Sequence, residues 1–263
     1  MTLAAIAYHR RWHDTLLDPA FDGPDALQVM ADHFFADPSP LDALSERYPI
    51  VVHDVGCSVV GAGPSPERVA RLIEVVRRAR ARAFTDHLAM TRSPAGIELG
   101  HLFPPLPTEG VAAQVISRVR WLQDALGVPV ALENVSAPFR LVGAFSEAEL
   151  FHRVVDATGC GVLLDVTNVA LDARNDGVDP LPALCALPLS AVRWVHLAGG
   201  RVDGDWWVDS HSAPVDPATL ALFAGLRSEL RLDGWIVEWD SHLPPVEGMV
   251  AEARRARAAW EGT

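Results

Sequence analysis

Eight short apolar runs recur along the chain of 263 residues, and polar segments separate them. They lie at residues 3–8, 26–31, 50–56, 83–89, 128–134, 161–168, 192–200 and 234–240. Most of the runs are continuous rather than alternating, which is typical of strands that are buried on both faces of a parallel sheet. The runs therefore predict eight buried strands.

The segments between the runs predict helices. Helical periodicity is present at residues 64–83, 108–127, 146–159, 216–230 and 247–262. Thr108 is a candidate N-cap, and Gly127 stops the pattern that Thr108 begins. Ser146 is a second candidate N-cap, with Glu149 at the capping-box position and Gly159 at the end.

Strands that alternate with helices pair in parallel through right-handed crossovers. Eight such units close into a (β/α)8 TIM barrel of about 250 residues. A doubly wound open sheet is the alternative, but it requires a glycine-rich phosphate loop, and GAGPSP at 61–66 lacks both GxGxxG and the P-loop lysine. No linker separates two domains. We expect an α/β fold with one TIM-barrel domain over residues 1–263.

Charge and composition argue against a nucleic-acid-binding protein. The formal net charge is −12 and the chain contains no lysine, whereas a protein that binds phosphate backbones presents a basic face. The one basic run, residues 77–82, lies at the end of a predicted helix, where cations favour the helix dipole. A docking patch for an acidic partner is the alternative interpretation of that run.

The remaining bulk features predict a cytoplasmic protein. No apolar run approaches the roughly 18–20 residues of a membrane span. Basic residues follow the first apolar stretch, whereas a secretory signal places them before it. The three cysteines, Cys57, Cys160 and Cys185, form no CxxC pair, and we expect each to be a small buried hydrophobe.

Polar residues mark the ends of six consecutive predicted strands. They are His53, Asp86, His87, Glu133, Asn134, Asp165, Asn168, His196, Glu238 and Asp240, and a predicted loop after the seventh strand adds Asp209 and His211. In a TIM barrel the carboxyl ends of the strands form one rim, where active sites lie. Crowded buried carboxylates repel each other unless cations intervene. Imidazole and carboxylate without thiolate suit iron, zinc or manganese, and the number of ligands favours two or three ions.

Each of these residues has a simpler interpretation when it is taken alone, because a single histidine on a strand often only satisfies a core hydrogen bond. The recurrence of histidines and carboxylates at the same end of six consecutive strands favours a metal centre. Asp86, Asn134 and Asp240 adjoin ligands, which makes them candidates for a catalytic role exerted by orienting those ligands. Trp206 and Trp207 are equally consistent with a packed anchor and with a surface that contacts a peptide.

Several motifs together resemble a known family. VHDVGCSVVG, FTDHLA, ALENVS, TGCGVLLDVTNV, WVHLAGG, VDSHSAPV and IVEWD occur in the order found in the DUF692 family, the multinuclear non-heme iron-dependent oxidases. The resemblance runs from about residue 26 to residue 245, and the combination of motifs is specific although no single one is. It implies a xylose-isomerase-like TIM barrel that is related to endonuclease IV.

The resemblance also implies a ligand set and a reaction. A first iron is implied at His53, His87 and Glu133, a second at Glu133, Asp165, His196 and Glu238, and a third at Asn168, Asp209 and His211. The implied activity is the oxidation of a cysteine in a ribosomally made precursor peptide by molecular oxygen at a mixed-valence Fe(II)/Fe(III) centre. A second protein that holds the leader peptide is an implied partner.

The chain departs from the family pattern at three positions. Asp54, Gly200 and Ser212 stand where members of the family often have glycine, histidine and aspartate. All the implied ligands are retained, so the departures affect the shape and charge of the pocket, and hence the substrate, rather than metal binding.

Three other functions remain open. A hydrolase of the endonuclease IV type with three zinc ions has a similar ligand order. The net negative charge of the chain and the absence of lysine argue against this function. A sugar isomerase or epimerase requires a lysine or histidine base beside the metal and a small closed pocket. A non-catalytic barrel with purely structural metals is the third alternative, and the open-sided third site argues against it.

Overall fold

The computed structural model describes residues 2–263, and its central feature is a closed barrel of eight parallel strands. The barrel strands are β1 (Leu3–Ala7), β2 (Ala26–Met30), β3 (Ile50–His53), β4 (Ala83–His87), β7 (Val130–Glu133), β8 (Gly161–Asp165), β9 (Val192–Leu197) and β12 (Gly234–Val237). The order of these strands around the barrel is the same as their order along the chain, and β12 pairs with β1 to close the barrel. The predicted TIM barrel is confirmed, and each barrel strand lies within one of the eight apolar runs.

Helices surround the barrel. They are α1 (His13–Leu17), α2 (Pro40–Arg47), α3 (Pro66–Arg78), α4 (Glu109–Leu126), α5 (Glu147–Thr158), α6 (Val166–Asp176), α7 (Leu181–Ala186), α8 (Pro217–Gly225) and α9 (Val246–Glu261). The predicted caps are confirmed: Thr108 and Ser146 accept hydrogen bonds from backbone N–H groups of α4 and α5. Gly127 and Gly159 end these helices in the left-handed conformation that glycine adopts without strain.

Two antiparallel hairpins extend from the barrel, and the apolar runs did not predict either. One pairs β5 (Met90–Arg92) with β6 (Glu98–Phe103), and the other pairs β10 (Gly199–Asp203) with β11 (Trp206–Ala213). The prediction that Asp209 and His211 lie in a loop was wrong, because both lie on β11.

Other predicted boundaries also shift. The run at 161–168 is a strand only as far as Asp165, and helix α6 begins at the next residue. Helix α3 ends at Arg78, so that two of the four arginines of the basic run, Arg80 and Arg82, lie outside it, and Arg77 and Arg78 form ion pairs with Glu74. Cys185 is exposed, contrary to expectation, whereas the other two cysteines are buried. Within residues 2–263 no helix is both long and apolar enough to cross a membrane.

Candidate metal centre

A polar layer lies inside the barrel above an apolar layer. The apolar layer takes one residue from each strand: Ala5, Ala26, Val51, Ala83, Ala131, Leu163, Trp194 and Ile236. Because side chains alternate along a strand, the residue two positions further on points into the same interior. Those residues are Ala7, Gln28, His53, Thr85, Glu133, Asp165, His196 and Glu238, and all of them are buried. The strand pattern alone therefore concentrates polar groups at one level of the barrel.

Glu133 is central to this layer. Its Oε2 lies 3.6 Å from His53 Nε2 and 3.3 Å from His87 Nε2. Its Oε1 lies 2.9 Å from His196 Nδ1. Ligand atoms of His53, His87 and Glu133 all lie within 4.8 Å of one another, and so do those of Glu133, Asp165 and His196. One carboxylate thus faces two groups through different oxygens, as a bridging ligand does.

A third group contains Asp165, His211 and Glu238, whose ligand atoms also lie within 4.8 Å of one another. Glu238 Oε2 is 3.3 Å from His196 Nδ1 and 3.4 Å from His211 Nδ1, so Glu238 lies between the second and third groups. Asp209 Oδ1 is 2.8 Å from His211 Nε2.

Asn168 lies beside the third group at the start of α6. Its backbone N–H donates to Asp165 Oδ1 at 2.8 Å, which makes Asp165 the N-cap of the helix. The Asn168 side-chain amide donates to the carbonyl of Asn134, and Asn168 Oδ1 has no hydrogen-bond partner. The direct turn from β8 into α6 thus brings a carboxylate and an amide to the same place.

The hairpin β10–β11 carries Asp209 and His211 over the barrel. His211 has φ of 43°, a left-handed conformation that is unfavourable for a residue with a Cβ. Gly199 is required at the base of the hairpin, since a Cβ there would lie 2.0 Å from the carbonyl oxygen of Ala213. The strained histidine is held where its ring reaches Glu238.

Two histidines of the layer have a second buried partner. His53 Nδ1 lies 2.8 Å from the hydroxyl of Thr85, which leaves Nε2 facing Glu133. His196 Nε2 lies 2.6 Å from the side-chain amide of Gln28, which leaves Nδ1 facing Glu133. Such partners fix the tautomer and the orientation of a ligating imidazole. Neither Gln28 nor Thr85 was predicted from the sequence as part of the site.

The three candidate catalytic residues differ in position. Asp86 accepts hydrogen bonds from the backbone N–H groups of His87 and Cys57, at 2.6 and 2.9 Å. Asn134 accepts from the backbone N–H of Asp165 and donates to its carbonyl, both at 2.9 Å. Both side chains are buried and fix the backbone beside ligands. Asp240 is exposed, lines the cavity described below, and lies 2.9 Å from His211 Nδ1.

Asp54, one of the departures from the family pattern, lies behind this layer rather than in it. It is buried and forms an ion pair with Arg68, which donates to both carboxylate oxygens. Cys57 and Asp86 lie close enough to Asp54 to form a further ligand group. Arg68 and the backbone N–H groups already occupy these carboxylates, and burial raises the pKa of the Cys57 thiol well above its usual value.

Without cations, the charges of the layer oppose one another. Burial disfavours the ionised form of Glu133, but the neighbouring histidines outweigh burial and lower its pKa. Burial likewise lowers the pKa of His196, but Glu133 and Glu238 outweigh it and raise that pKa to about 9. Burial, followed by the repulsion of Asp209 and Glu133, raises the pKa of Asp165 well above its usual value.

Unpaired buried atoms in this layer fit metal ions. Glu133 Oε2, Asp165 Oδ2 and Asn168 Oδ1 are buried and have no hydrogen-bond partner. An unpartnered buried acceptor is costly, and native structures contain few of them. Here they converge, and all are ligand types that first-row divalent metals accept. The donor set therefore fits metal ions.

The layer opens into a cavity of about 1110 Å³. His53, His87 and Glu133 lie on its lining, as do the rings of Phe139 and Trp206. Trp206 is 51% exposed and Phe139 is 44% exposed, so both present apolar surface near the mouth. The cavity exceeds the roughly 300–1,000 Å³ of small-molecule pockets.

A match to a protein-family model identifies the family of the chain. Residues 4–261 match the model of the family described as RiPP precursor modification enzyme MbnB/TglH/ChrH, where RiPP denotes a ribosomally synthesised and post-translationally modified peptide. The chain belongs to this family. The resemblance seen in the sequence is thereby confirmed, and membership makes the chain an enzyme of precursor-peptide modification.

Relatives of this RiPP-modifying chain cover most of its length. A UPF0276 protein of Anaeromyxobacter sp. (strain Fw109-5) is 34% identical over 240 residues, which are 88% of this chain and 84% of that protein. A UPF0276 protein of Caulobacter vibrioides is 32% identical over 242 residues, 90% of this chain and 86% of the relative.

Solved structures with the same fold are much more distant in sequence. D-psicose 3-epimerase of Clostridium cellulolyticum H10 has a TM-score of 0.62 at 12% identity, covering 98% of this chain and 96% of the epimerase. A xylose isomerase domain protein of Planctomyces limnophilus has a TM-score of 0.57 at 14% identity, covering 98% and 95%. These likenesses show that the chain shares the TIM-barrel fold of those proteins.

Proposed function

We propose that the chain is a multinuclear non-heme iron oxidase that uses molecular oxygen to modify cysteine residues of a ribosomally synthesised precursor peptide. The observation that carries this proposal is the position of Glu133, with three histidines of three other strands around one carboxylate. That arrangement suits two ions bridged by a carboxylate. Family membership supports the precursor peptide as the substrate.

The ligand groups suggest which residues hold iron. His53, His87 and Glu133 are proposed for a first ion, and Glu133, Asp165 and His196 for a second, with Glu238 between the second and a third ion at Asn168, Asp209 and His211. Two or three iron ions in mixed Fe(II)/Fe(III) valence, when bound, supply electron transfer to oxygen and a Lewis-acidic position for a thiolate.

The chain's own residues bind and orient the peptide. The cavity admits an extended segment, and the rings of Phe139 and Trp206 offer apolar contacts to side chains beside the cysteine. Asp240 lines the same cavity, where desolvation favours its neutral form but the hydrogen bond and charge of His211 outweigh it and lower its pKa. Asp240 is therefore an ionised carboxylate placed to orient the His211 imidazole, 2.9 Å away.

A partner protein that holds the leader peptide is part of the proposal. Exposed apolar side chains occur on both hairpins and on the loop before α5: Ile97 is 65% exposed, Val202 is 52% exposed and Val142 is 94% exposed. We propose these side chains as contacts of the partner protein.

The alternative metal barrels have less support. The epimerase from Clostridium cellulolyticum shares the fold at 12% identity, and a likeness at that level says nothing about the substrate. The wide cavity also does not match the small closed pocket that a sugar requires. A phosphodiesterase of the endonuclease IV type would act on a polyanion, which a chain of net charge −12 without lysine repels.

Purification without oxygen, followed by elemental analysis and Mössbauer spectroscopy, tests the proposal. We expect at least two iron ions per chain with antiferromagnetic coupling, and oxygen consumption when a cysteine-containing precursor peptide is added. Stoichiometric zinc together with nuclease activity would overturn the proposal. A His87→Ala variant is the matched control for adventitious iron, because it removes a proposed ligand at the cavity wall.

A further inference from the structure

We infer that Gln28 determines which nitrogen of His196 binds metal: the Gln28 amide oxygen accepts a hydrogen bond from His196 Nε2–H, and Nδ1 is the ligand atom. The inference rests on the metal centre proposed above. Gln28 is thus a positioning residue that acts through His196.

The contact is short and buried. The amide nitrogen of Gln28, Nε2, lies 2.6 Å from His196 Nε2, and the two residues are 1% and 0% exposed. They belong to the same interior layer, on strands β2 and β9. Within residues 2–263, this amide is the hydrogen-bond partner recorded for Nε2, whereas the carboxylates of Glu133 and Glu238 approach Nδ1 at 2.9 and 3.3 Å.

The orientation of the amide and the role of His196 are linked. With the NH2 group of Gln28 toward the ring, as the structure places it, His196 Nε2 would have to be the bare acceptor, and the single proton of a neutral His196 would lie on Nδ1. That proton would point at Glu133 and block a metal on Nδ1. If the amide oxygen faces the ring, Nε2 carries the proton and the lone pair of Nδ1 points at the ligand group.

The unpaired atom of the pair agrees with the second orientation. With the NH2 group toward the ring, Gln28 Oε1 is buried without a hydrogen-bond partner. With the oxygen toward the ring, the same oxygen has a donor in Nε2–H. Outer hydrogen bonds of this kind fix the tautomer of a ligating imidazole and increase its basicity.

The first ligand group has the opposite arrangement. There His53 Nδ1 contacts the Thr85 hydroxyl at 2.8 Å, and Nε2 faces Glu133. The two neighbouring residues of the layer therefore present different nitrogens to Glu133, each selected by a buried polar side chain from another strand. Replacing Gln28 is expected to affect the second ion and leave the first.

The test compares Gln28→Leu, Gln28→Glu and the control Gln123→Leu, which removes a half-buried amide far from the metal centre. Leucine removes the acceptor at nearly constant volume, and glutamate keeps it. Binding of Fe²⁺ without oxygen is measured by titration, and the zinc-loaded proteins are examined by ¹⁵N NMR of the histidine rings. Expected are about 10–100-fold weaker binding of one ion in Gln28→Leu, wild-type binding in Gln28→Glu and Gln123→Leu, and a zinc-bound Nδ1 with a protonated Nε2 for His196.

Three results would overturn the inference while leaving the metal centre intact. They are wild-type affinity for every ion in Gln28→Leu, equal loss in Gln28→Glu and Gln28→Leu, and a zinc-bound Nε2 on His196. Failure of the wild-type chain to bind any ion would overturn the proposed centre itself, and the inference with it. The NMR result on the wild-type protein decides the question even if a variant does not fold.

Discussion

Glu133 Oε1 lies 2.9 Å from His196 Nδ1, although strand β8 separates the strands that carry the two residues. The other oxygen of Glu133 turns to His53 and His87. We expect Glu133→Ala to lose more than one metal ion per chain, because one side chain serves two ligand groups. Elemental analysis of anaerobically loaded protein measures the loss. The control is Glu149→Ala on exposed α5 surface, and loss of a single ion from Glu133→Ala would contradict bridging.

Thr85→Val removes the hydroxyl that contacts His53 Nδ1 and keeps the side-chain shape. We expect binding of the first ion to weaken about tenfold or more, since the tautomer of His53 is no longer fixed. The fold is expected to lose only about 1 kcal/mol. Metal titration and thermal unfolding measure the two effects separately. Thr219→Val, at a buried threonine of α8, is the control, and unchanged metal affinity in Thr85→Val would remove Thr85 from the site.

Acid is expected to weaken metal binding over an unusually high pH range. In the metal-free chain burial lowers the pKa of His196, but Glu133 and Glu238 outweigh it and raise the pKa to about 9. A metal on Nδ1 displaces that proton, so affinity should rise with pH by up to about tenfold per pH unit until about pH 9. Chelator-buffered Zn²⁺ titrations measure this, and a flat profile between about pH 7 and 9 would contradict the displacement.

The same group has the opposite effect on the stability of the metal-free fold. A folded pKa above the ordinary value of 6.5 stabilises the folded chain fully below that value, and the stabilisation is lost as the pH rises through about 9. Thermal unfolding of metal-free protein should therefore occur at lower temperature as the pH increases across this interval, while zinc-loaded protein should show no such decrease.

The adjacent tryptophans of β11 are expected to have different roles. Trp206 is 51% exposed and lines the cavity, so Trp206→Ala should raise KM for the peptide with little change in Tm. Trp207 also lines the cavity, but it is half-buried under the guanidinium of Arg174, 3.6 Å from the ring centroid, and its backbone exchanges two hydrogen bonds with the Asn175 side chain. Trp207→Ala should lower Tm. Equal effects of both changes on KM and Tm would contradict this division.

Gly199→Ala tests the support of the hairpin. A Cβ at this position would meet the carbonyl oxygen of Ala213 at 2.0 Å, so β10 and β11 cannot keep their pairing. We expect loss of the ion held by Asp209 and His211, with the barrel and the other ions retained. Circular dichroism and metal analysis check this outcome. The control is Gly225→Ala, where a Cβ meets nothing within 4 Å, and retention of every ion in Gly199→Ala would show that the hairpin tolerates the shift.

The barrel could be predicted from the sequence because its strands are buried on both faces and read as continuous apolar runs. The helix caps at Thr108 and Ser146 were predictable for a local reason, since each depends on residues within one turn. The hairpins could not be predicted in this way. Strand β11 is half-buried along its length and mixes tryptophan, aspartate, serine and histidine, so it carries neither the apolar run nor a clear alternation.

The ligands of the proposed metal centre could be predicted from the sequence, but the partners that orient them could not. His53, Glu133 and His196 end apolar runs, and the rim rule brings them together. Gln28 lies within its run, and a polar residue between apolar neighbours on a buried strand was itself a signal, because such a group needs a partner. Its partner lies 168 residues away, and only the closure of the barrel identifies it.

The proposed ligands differ in what supports them: most lie at the ends of barrel strands, whereas Asp209 and His211 lie on the hairpin β10–β11. Residues at the ends of barrel strands are fixed by pairing on both sides, so their geometry changes only if the whole barrel changes. Asp209 and His211 are held by a two-stranded extension, by its contacts with α6 and by a hydrogen bond from the Asp240 backbone N–H to the His211 carbonyl. Sequence change in the extension can therefore move one edge of the centre while the rest stays constant. New substrate preferences in proteins of this architecture are expected to arise by substitution, lengthening or exchange of that extension.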